Sequence, residues 1–169
     1  MDWKEVLKDE LSTAYRTAGR LMDMVEPSSL GWKPMSGQSW MTVAQLLKHI
    51  SAACGPECKG FVKGDWGPPA GGSGDSGLPP AEKMPSVSSV AEAKQLLAAD
   101  QELALRMLAA AEDDQLDHQP APAPWDPTKM PLGRRLLEVV RHLDTHKSQL
   151  FYYLKLQGQP VHTGHLWGM

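Results

Sequence analysis

The strongest constraint on the fold is a spacing of three and four residues between apolar side chains, which recurs in four segments of the chain. This spacing aligns apolar residues along one face of an α-helix. Proline- and glycine-rich stretches separate the four segments, and no segment shows the strict alternation typical of a half-buried strand. The sequence therefore predicts an all-α protein with four long helices.

The first two predicted helices each have one clear limit. Residues 3–25 carry the first apolar stripe, which Pro27 ends. Thr42 and Gln45 form a capping box that begins the second helix. Gly55-Pro56 should kink or stop this helix, because proline lacks the backbone donor that a helix interior needs. Residues 64–85 are rich in glycine and proline, so we expect neither helix nor sheet there.

The third and fourth predicted helices carry signals at both ends. Ser89 begins the third helix through a second capping box, and the apolar stripe continues to about Asp113. A proline-rich connector at residues 120–127 precedes Pro131, which suits the first position of the fourth helix. Gly158 is a suitable C-cap for it.

The size and charge of the chain limit its architecture and its partners. A chain of 169 residues can bury one complete core, so we predict a single four-helix-bundle domain over residues 1–169 with long crossover loops. A net charge of −3 gives no positive field for nucleic acid, and no apolar run approaches the roughly 20 residues that span a bilayer. Residues 1–5 carry charge where a secretory signal needs an apolar run. We therefore expect a cytoplasmic protein in which Cys54 and Cys58 are reduced thiols.

Three histidines carry the functional signal. His142 and His146 are four residues apart on the fourth predicted helix, so both side chains project from one face and can reach one metal ion. His49 lies beside the apolar stripe of the second helix, where an inward imidazole needs a polar partner. Three neutral imidazoles on a divalent transition metal leave coordination positions open, as in catalytic sites. The alternative is that each histidine is a half-exposed residue hydrogen-bonded to backbone.

The order and spacing of these motifs resemble a known family. The motifs are GWKP at residues 31–34, SWMTVAQLLKHI at residues 39–50, and HLDTHKSQL at residues 142–150, followed by Tyr153-Leu154 and Gly158. They are similar to the DinB/YfiT-like family of proposed metalloenzymes, in which the second helix carries a histidine and the fourth a His-x-x-x-His pair. The likeness covers nearly the whole chain, although the Gly55-Pro56 interruption and the loop at residues 64–85 depart from a typical member.

The resemblance implies an up-down-down-up four-helix bundle that holds nickel, zinc or a similar ion through His49, His142 and His146, often in a homodimer. Family members with assigned activities include transferases and isomerases that use low-molecular-weight thiols such as bacillithiol, mycothiol or glutathione. We therefore expect a metal-dependent thiol transferase or a small-substrate hydrolase. The alternatives are a non-catalytic metal-binding stress-response protein and a plain dimerisation module.

Other residues close to these motifs have two interpretations each. Arg134 and Arg135 could clamp a substrate carboxylate, but such a pair usually lies on the surface. Cys54 and Cys58 could join the metal site, whereas small buried thiols are commoner. Asp144 should point away from the two neighbouring histidines and remain solvated.

The connectors carry most of the tryptophans and the remaining histidines. We expect Trp32 and Trp40 to pack in the core, and aromatic residues in the other connectors to cover helix ends or line a pocket mouth. His118 is predicted as a loop residue, and His162 and His165 as exposed residues of the tail.

Overall fold

The computed structural model describes residues 2–67 and 80–169. Regular structure in these ranges is helical, and strand-like pairing is limited to two isolated bridges in the connector before the longest helix. No described helix combines the length and the apolarity needed to cross a membrane. The helices are α1 (Trp3–Met22), α2 (Val43–Ile50), α3 (Gly55–Lys63), α4 (Val90–Ala110), α5 (Asp113–His118), α6 (Leu132–Leu156) and α7 (Thr163–Trp167).

The three longest helices frame the hydrophobic core. α1 packs against both α4 and α6, and α2 and α3 also contact both of these helices. Each of these five helices turns its apolar residues inward. Burial of one leucine-sized side chain contributes about 1.5–3 kcal/mol to the stability of the fold. The all-α prediction is therefore confirmed over the described residues. Fully buried side chains include Leu7, Leu21, Leu46, Ile50, Leu143, Leu150 and Leu154.

The predicted interruption at Gly55-Pro56 divides the second predicted helix into two. α2 ends at Ile50, and α3 begins at Gly55 with Pro56 in its first turn, where the missing amide hydrogen breaks no helical bond. The carboxylate of Asp100 on α4 accepts hydrogen bonds from the backbone amides of Cys54 and Gly55, at 3.1 and 2.9 Å. Asp100 thus caps α3 from a neighbouring helix, and it fixes where this helix starts.

Two short helices lie where the sequence analysis expected connector or tail. α5 follows α4 closely, and the backbone amide of Glu112 donates to the side chain of Gln115 at its start. α7 lies in the tail and packs against α1 and α6. Neither helix is long enough to show a repeated apolar stripe, which is the signal that predicted the long helices.

The glycine- and proline-rich stretch is described in part. Residues 68–79 lie outside the described residues, so the expectation for them is untested. The end of the stretch forms a single 3-10 turn at Ala81–Lys83. The side-chain amide of Gln45 donates to the carbonyl oxygens of Ala81 and Met84, at 2.7 and 3.0 Å. These bonds attach the end of the connector to α2, the helix that carries His49.

Candidate metal centre

The three histidines singled out in the sequence converge in the structure. His49 comes from α2, and His142 and His146 come from successive turns of α6. One ring nitrogen of each histidine lies within 4.8 Å of the others. The Nε2 atoms of His49 and His142 are 3.1 Å apart, and all three side chains are half-buried. These residues could therefore hold one metal ion together.

The spacing of the nitrogens suits a transition metal. Imidazole nitrogens bind zinc at about 2.0–2.1 Å, so two of them on a tetrahedral ion lie roughly 3.3 Å apart. The 3.1 Å between His49 and His142 is close to this separation. Nitrogen donors of this kind also suit nickel, copper and iron. The three imidazoles therefore fit a divalent transition metal but do not select one of these metals.

Glu57 orients the ring of His142. Its Oε1 lies 3.4 Å from Nδ1 of His142, so the Nε2 of that ring points at the histidine cluster. The hydrogen bond to Glu57 raises the pKa of His142 above its ordinary value, against the opposing effect of burial. A carboxylate behind a ligating histidine fixes the tautomer and makes the imidazole a better donor. The sequence analysis missed Glu57, and Pro56 at the start of a new helix was the signal that could have located it.

Gln149 orients the ring of His146 in a similar way. Its Oε1 lies 3.1 Å from Nδ1 of His146, and its amide nitrogen lies 3.3 Å from the hydroxyl of Tyr153. Tyr153 in turn donates to the carbonyl oxygen of Met41, at 3.0 Å. This chain of bonds assigns the amide orientation of Gln149, and it leaves Nε2 of His146 free for a ligand. Gln149 lies in the motif that supported the family resemblance, but the sequence alone gave it no role.

Burial keeps two of the three imidazoles neutral. Burial, with smaller contributions from His146 and His142, lowers the pKa of His49 from 6.5 to about 4. The pKa of His146 is lowered as well, again mainly by burial. Because a histidine must be neutral to bind a metal, these two rings are ready to bind at neutral pH.

A cavity of about 990 Å³ opens beside the three histidines. Its volume lies in the range of small-molecule sites, and a catalytic metal needs such a space for a substrate. Its walls come from α2, α3, α6 and three connectors. The lining residues are Ser39, Met41, His49, Glu57, Phe61, Pro80, Ala81, Met84, Trp125, Arg135, Glu138, Val139, His142 and His146.

Arg135 corrects the expectation of a surface pair. Arg134 is exposed, but Arg135 is only 4% exposed and lines the cavity. Its guanidinium donates to Asp126 and Glu138, at 3.0 and 2.8 Å, and to two backbone carbonyl oxygens. The expectation of an exposed Arg135 was wrong, because the connector before α6 folds back over this side chain and supplies its hydrogen-bond partners.

The two cysteines do not join the histidine cluster. Both are buried and free, and the thiol of Cys54 donates to the carbonyl oxygen of Val139 at 3.5 Å. Burial raises the pKa of Cys58 to about 12, and it raises the pKa of Cys54 well above its ordinary value. Asp144 is exposed, as predicted, and it pairs with Lys147 rather than with either histidine.

The tryptophans of the connectors divide between packed and exposed positions. Trp32 is half-buried and packs edge-on against Tyr153, as expected, whereas Trp40 is 37% exposed and only its ring edge approaches Tyr153. The expectation of core packing for Trp40 was wrong, because its indole nitrogen donates to the backbone of its own loop. Trp66 and Trp125 pack with Phe61, and Trp125 lines the cavity.

The other histidines lie apart from the cluster. His118 and His162 are exposed, and His165 is half-buried. His118 ends α5 rather than lying in a loop, and the other two pair with each other at the start of α7. None of them belongs to the group of potential metal ligands found among the described residues.

Comparison with known proteins identifies the family of the chain and a solved structure of similar fold. The sequence profile of the DinB superfamily matches residues 10–150. A crystal structure from Exiguobacterium sibiricum 255-15, described as belonging to the DinB family, is similar in fold, with a TM-score of 0.66. The two chains are 21% identical, and the similarity covers 98% of each. No curated protein matches the sequence significantly.

Proposed function

Because the chain belongs to the DinB superfamily, we propose that it is an enzyme that binds one divalent transition metal ion through His49, His142 and His146. The observation that carries the proposal is the convergence of three imidazoles on one point at the wall of a cavity. Nickel and zinc are the metals we favour. The substrate would be a small molecule, and thiol transfer from a low-molecular-weight thiol such as bacillithiol, mycothiol or glutathione is the leading reaction, with hydrolysis second.

Two side chains and the wall of the cavity would support the ion in this proposal. When bound, the ion supplies a Lewis acid that lowers the pKa of a thiol or water at its open position. Glu57 would hold Nδ1–H of His142 and Gln149 would hold Nδ1–H of His146, so that both rings keep their Nε2 atoms available to an ion. The apolar wall of the cavity excludes bulk water from the reacting end of the substrate.

We also propose the arrangement and setting that the resemblance implies. α1, the α2–α3 pair, α4 and α6 would form an up-down-down-up four-helix bundle, with α5 and α7 as additions. The bundle would form a homodimer in the cytoplasm, and its net charge of −3 argues against nucleic acid as a partner. Light scattering coupled to size-exclusion chromatography tests the dimer.

Metal content is the decisive measurement for this function. Plasma mass spectrometry on protein purified without a nickel column should find about one ion per chain, as three ligands with one open position predict. His146→Ala should lose the ion, because it removes a donor and leaves only two. His118→Ala is the matched control, since His118 is exposed and lies outside the cluster. Absence of bound ion after loading with zinc or nickel would remove the enzyme proposal.

One observation favours a second candidate, a non-catalytic protein that the ion stabilises. His49 and His142 are 93 residues apart in sequence, so an ion between them would tie α2 to α6. This candidate predicts a metal-dependent rise in melting temperature without turnover of any thiol or hydrolase substrate. The open cavity beside the histidines favours the enzyme.

A further inference from the structure

Among the described residues that line the cavity, Arg135 is the only buried cation, and its charge is already paired within the protein. Arg135 donates through Nε to the carbonyl oxygen of Ala121, at 3.0 Å, and through Nη2 to that of Thr128, at 2.8 Å. Its Nη1 is shared between the carboxylates of Asp126 and Glu138. Two carboxylates therefore face one guanidinium, and the group is net negative.

The carboxylate of Asp126, one of the two beside Arg135, is ionised at neutral pH. Hydrogen bonds from Thr128, together with the guanidinium of Arg135, lower the pKa of Asp126 to about 2. Glu138 pairs with the same guanidinium and turns its remaining surface to the cavity, where its side chain is 40% exposed. The carboxylate of Glu57 also lines the cavity, near His142. Glu57 is paired with the ring of His142, whereas two carboxylates share the single guanidinium of Arg135, so the excess negative charge lies at the Glu138 end.

The wall beside these charges is aromatic and apolar, and the guanidinium of Arg135 lies over the ring of Phe61, 5.6 Å from its centroid. Phe61, Trp66 and Trp125 pack edge to face, with ring centroids 4.7 to 6.3 Å apart. Trp125 is 64% exposed although it lines the cavity, so part of its ring remains available for contact. Met41, Met84 and Val139 extend this lining. Flat aromatic faces and flexible methionines suit a ring-sized apolar body, and aromatic faces also attract cations.

We propose that this cavity selects uncharged or positively charged molecules with an apolar, ring-sized body, that it discriminates against anions, and that Glu138 sets this selectivity. The proposal deepens the proposed function and rests on it for the reacting end of the cavity. An anion would face Glu138 and find Arg135 already paired, whereas a cation would gain a carboxylate partner next to an aromatic wall. Within the class of low-molecular-weight thiols, the cavity would favour carriers without net negative charge at this end.

Three probes of one shape test the selectivity without metal. The probes are 3-phenylpropylamine, 3-phenylpropanol and 3-phenylpropanoate, titrated into chelator-treated protein at neutral pH and followed by ligand-observed NMR. We expect the amine and the alcohol to bind about tenfold more tightly than the carboxylate, as one nearby unit charge in a partly hydrated cavity predicts. Equal binding of all three, tighter binding of the carboxylate, or no saturable binding of any probe would overturn the proposal.

Glu138→Gln assigns the selectivity to one residue. The change keeps the size of the side chain, and Arg135 retains Asp126 and two carbonyl partners, so the fold should persist, which thermal unfolding checks. Affinity for the carboxylate probe should rise about tenfold, because the variant has one negative charge fewer in the cavity. The amide of glutamine also accepts less strongly from Arg135 than a carboxylate does, so the guanidinium is more available to the probe. Glu102→Gln is the matched control, since Glu102 also pairs with an arginine but lies on the exposed face of α4. Unchanged selectivity in Glu138→Gln would reject the assignment.

These measurements separate the inference from the proposed function. The probes are titrated without metal, so a protein that binds no ion can still show the predicted selectivity. Conversely, a protein that binds about one ion per chain but does not discriminate between the probes would keep the metal centre and lose the inference.

Discussion

At the scale of single residues, the geometry of the histidine cluster depends on two side chains that are not among its potential metal ligands. Glu57 and Gln149 each occupy the Nδ1 side of one histidine, so that the Nε2 atoms face one another. Without such partners, a metal-free imidazole can rotate or change tautomer, and the ion must reorder it on binding. The geometry of the three histidines is therefore held in place before metal arrives.

Replacement of Glu57 should weaken metal binding while leaving all three histidines in place. Glu57→Gln keeps an oxygen acceptor for Nδ1–H of His142 but removes the charge, so zinc affinity should fall about tenfold. Glu57→Ala should lower it further, because it removes the acceptor as well. Competition with a chromophoric chelator measures both dissociation constants. Glu102→Gln serves again as control, and equal affinity in all variants would show that Glu57 does not support His142.

At the scale of helices, α3 is held by side chains from two other helices. Asp100 on α4 accepts from the backbone of Cys54 and Gly55, and it also accepts from the hydroxyl of Tyr15 on α1, at 2.6 Å. Gly55 packs so closely on Asp100 that an added Cβ would lie 2.8 Å from the carboxylate. This junction determines where α3 begins, and hence where Glu57 meets His142.

Substitution of Asp100 should destabilise the junction. In Asp100→Asn the side-chain NH₂ group would face N–H and O–H groups that now donate to the carboxylate. The free energy of unfolding should therefore fall by about 1–3 kcal/mol, the cost of a buried hydrogen-bonding group left without a partner. Urea unfolding monitored by circular dichroism measures this change. Asp9→Asn, on the exposed face of α1, should change stability little. A loss in Asp100→Asn no larger than in the control would mean that other contacts fix α3.

The sequence predicts the long helices better than it predicts the site around the histidines. The apolar stripes and the caps at Thr42 and Ser89 are local signals, and the structure agrees with them. His142 and His146 share a face because helix geometry requires it. The contact of Glu57 with His142 depends on how α3 restarts against α4, and the burial of Arg135 depends on a connector folding back. No local pattern in the sequence reports such tertiary events.

At the scale of the whole molecule, the three histidines join parts of the chain that are distant in sequence. The described core would be continuous without the ion, because α1 packs directly on both α4 and α6. The histidines nevertheless bring three imidazoles into a half-buried position, where protonation of His49 and His146 is unfavourable. Acid should therefore oppose the folded state of the metal-free protein.

The stability of the metal-free protein should depend on pH through His49. Its pKa is lowered to about 4 in the folded protein and stands near 6.5 when unfolded, so the unfolded state binds a proton first as pH falls. The stability that the neutral ring contributes is present above about pH 6.5 and is lost between pH 6.5 and 4. His142, whose pKa is raised, opposes this trend in part.

His49→Gln should reduce that pH dependence, because glutamine does not titrate. Urea unfolding of chelator-treated protein at a series of pH values between 7 and 4 compares the variant with the wild type. His118→Gln, at an exposed site, is the matched control. An unchanged slope in His49→Gln would contradict the lowered pKa.

The buried thiols of Cys54 and Cys58 have a consequence for a protein that would handle reactive sulfur. Disulfide exchange proceeds through a thiolate that can reach its target, and both thiols are enclosed and held in the protonated form. The protein would neither form mixed disulfides with its own substrate nor offer the ion an internal sulfur ligand. Both thiols would therefore stay reduced under oxidant concentrations that modify exposed cysteines.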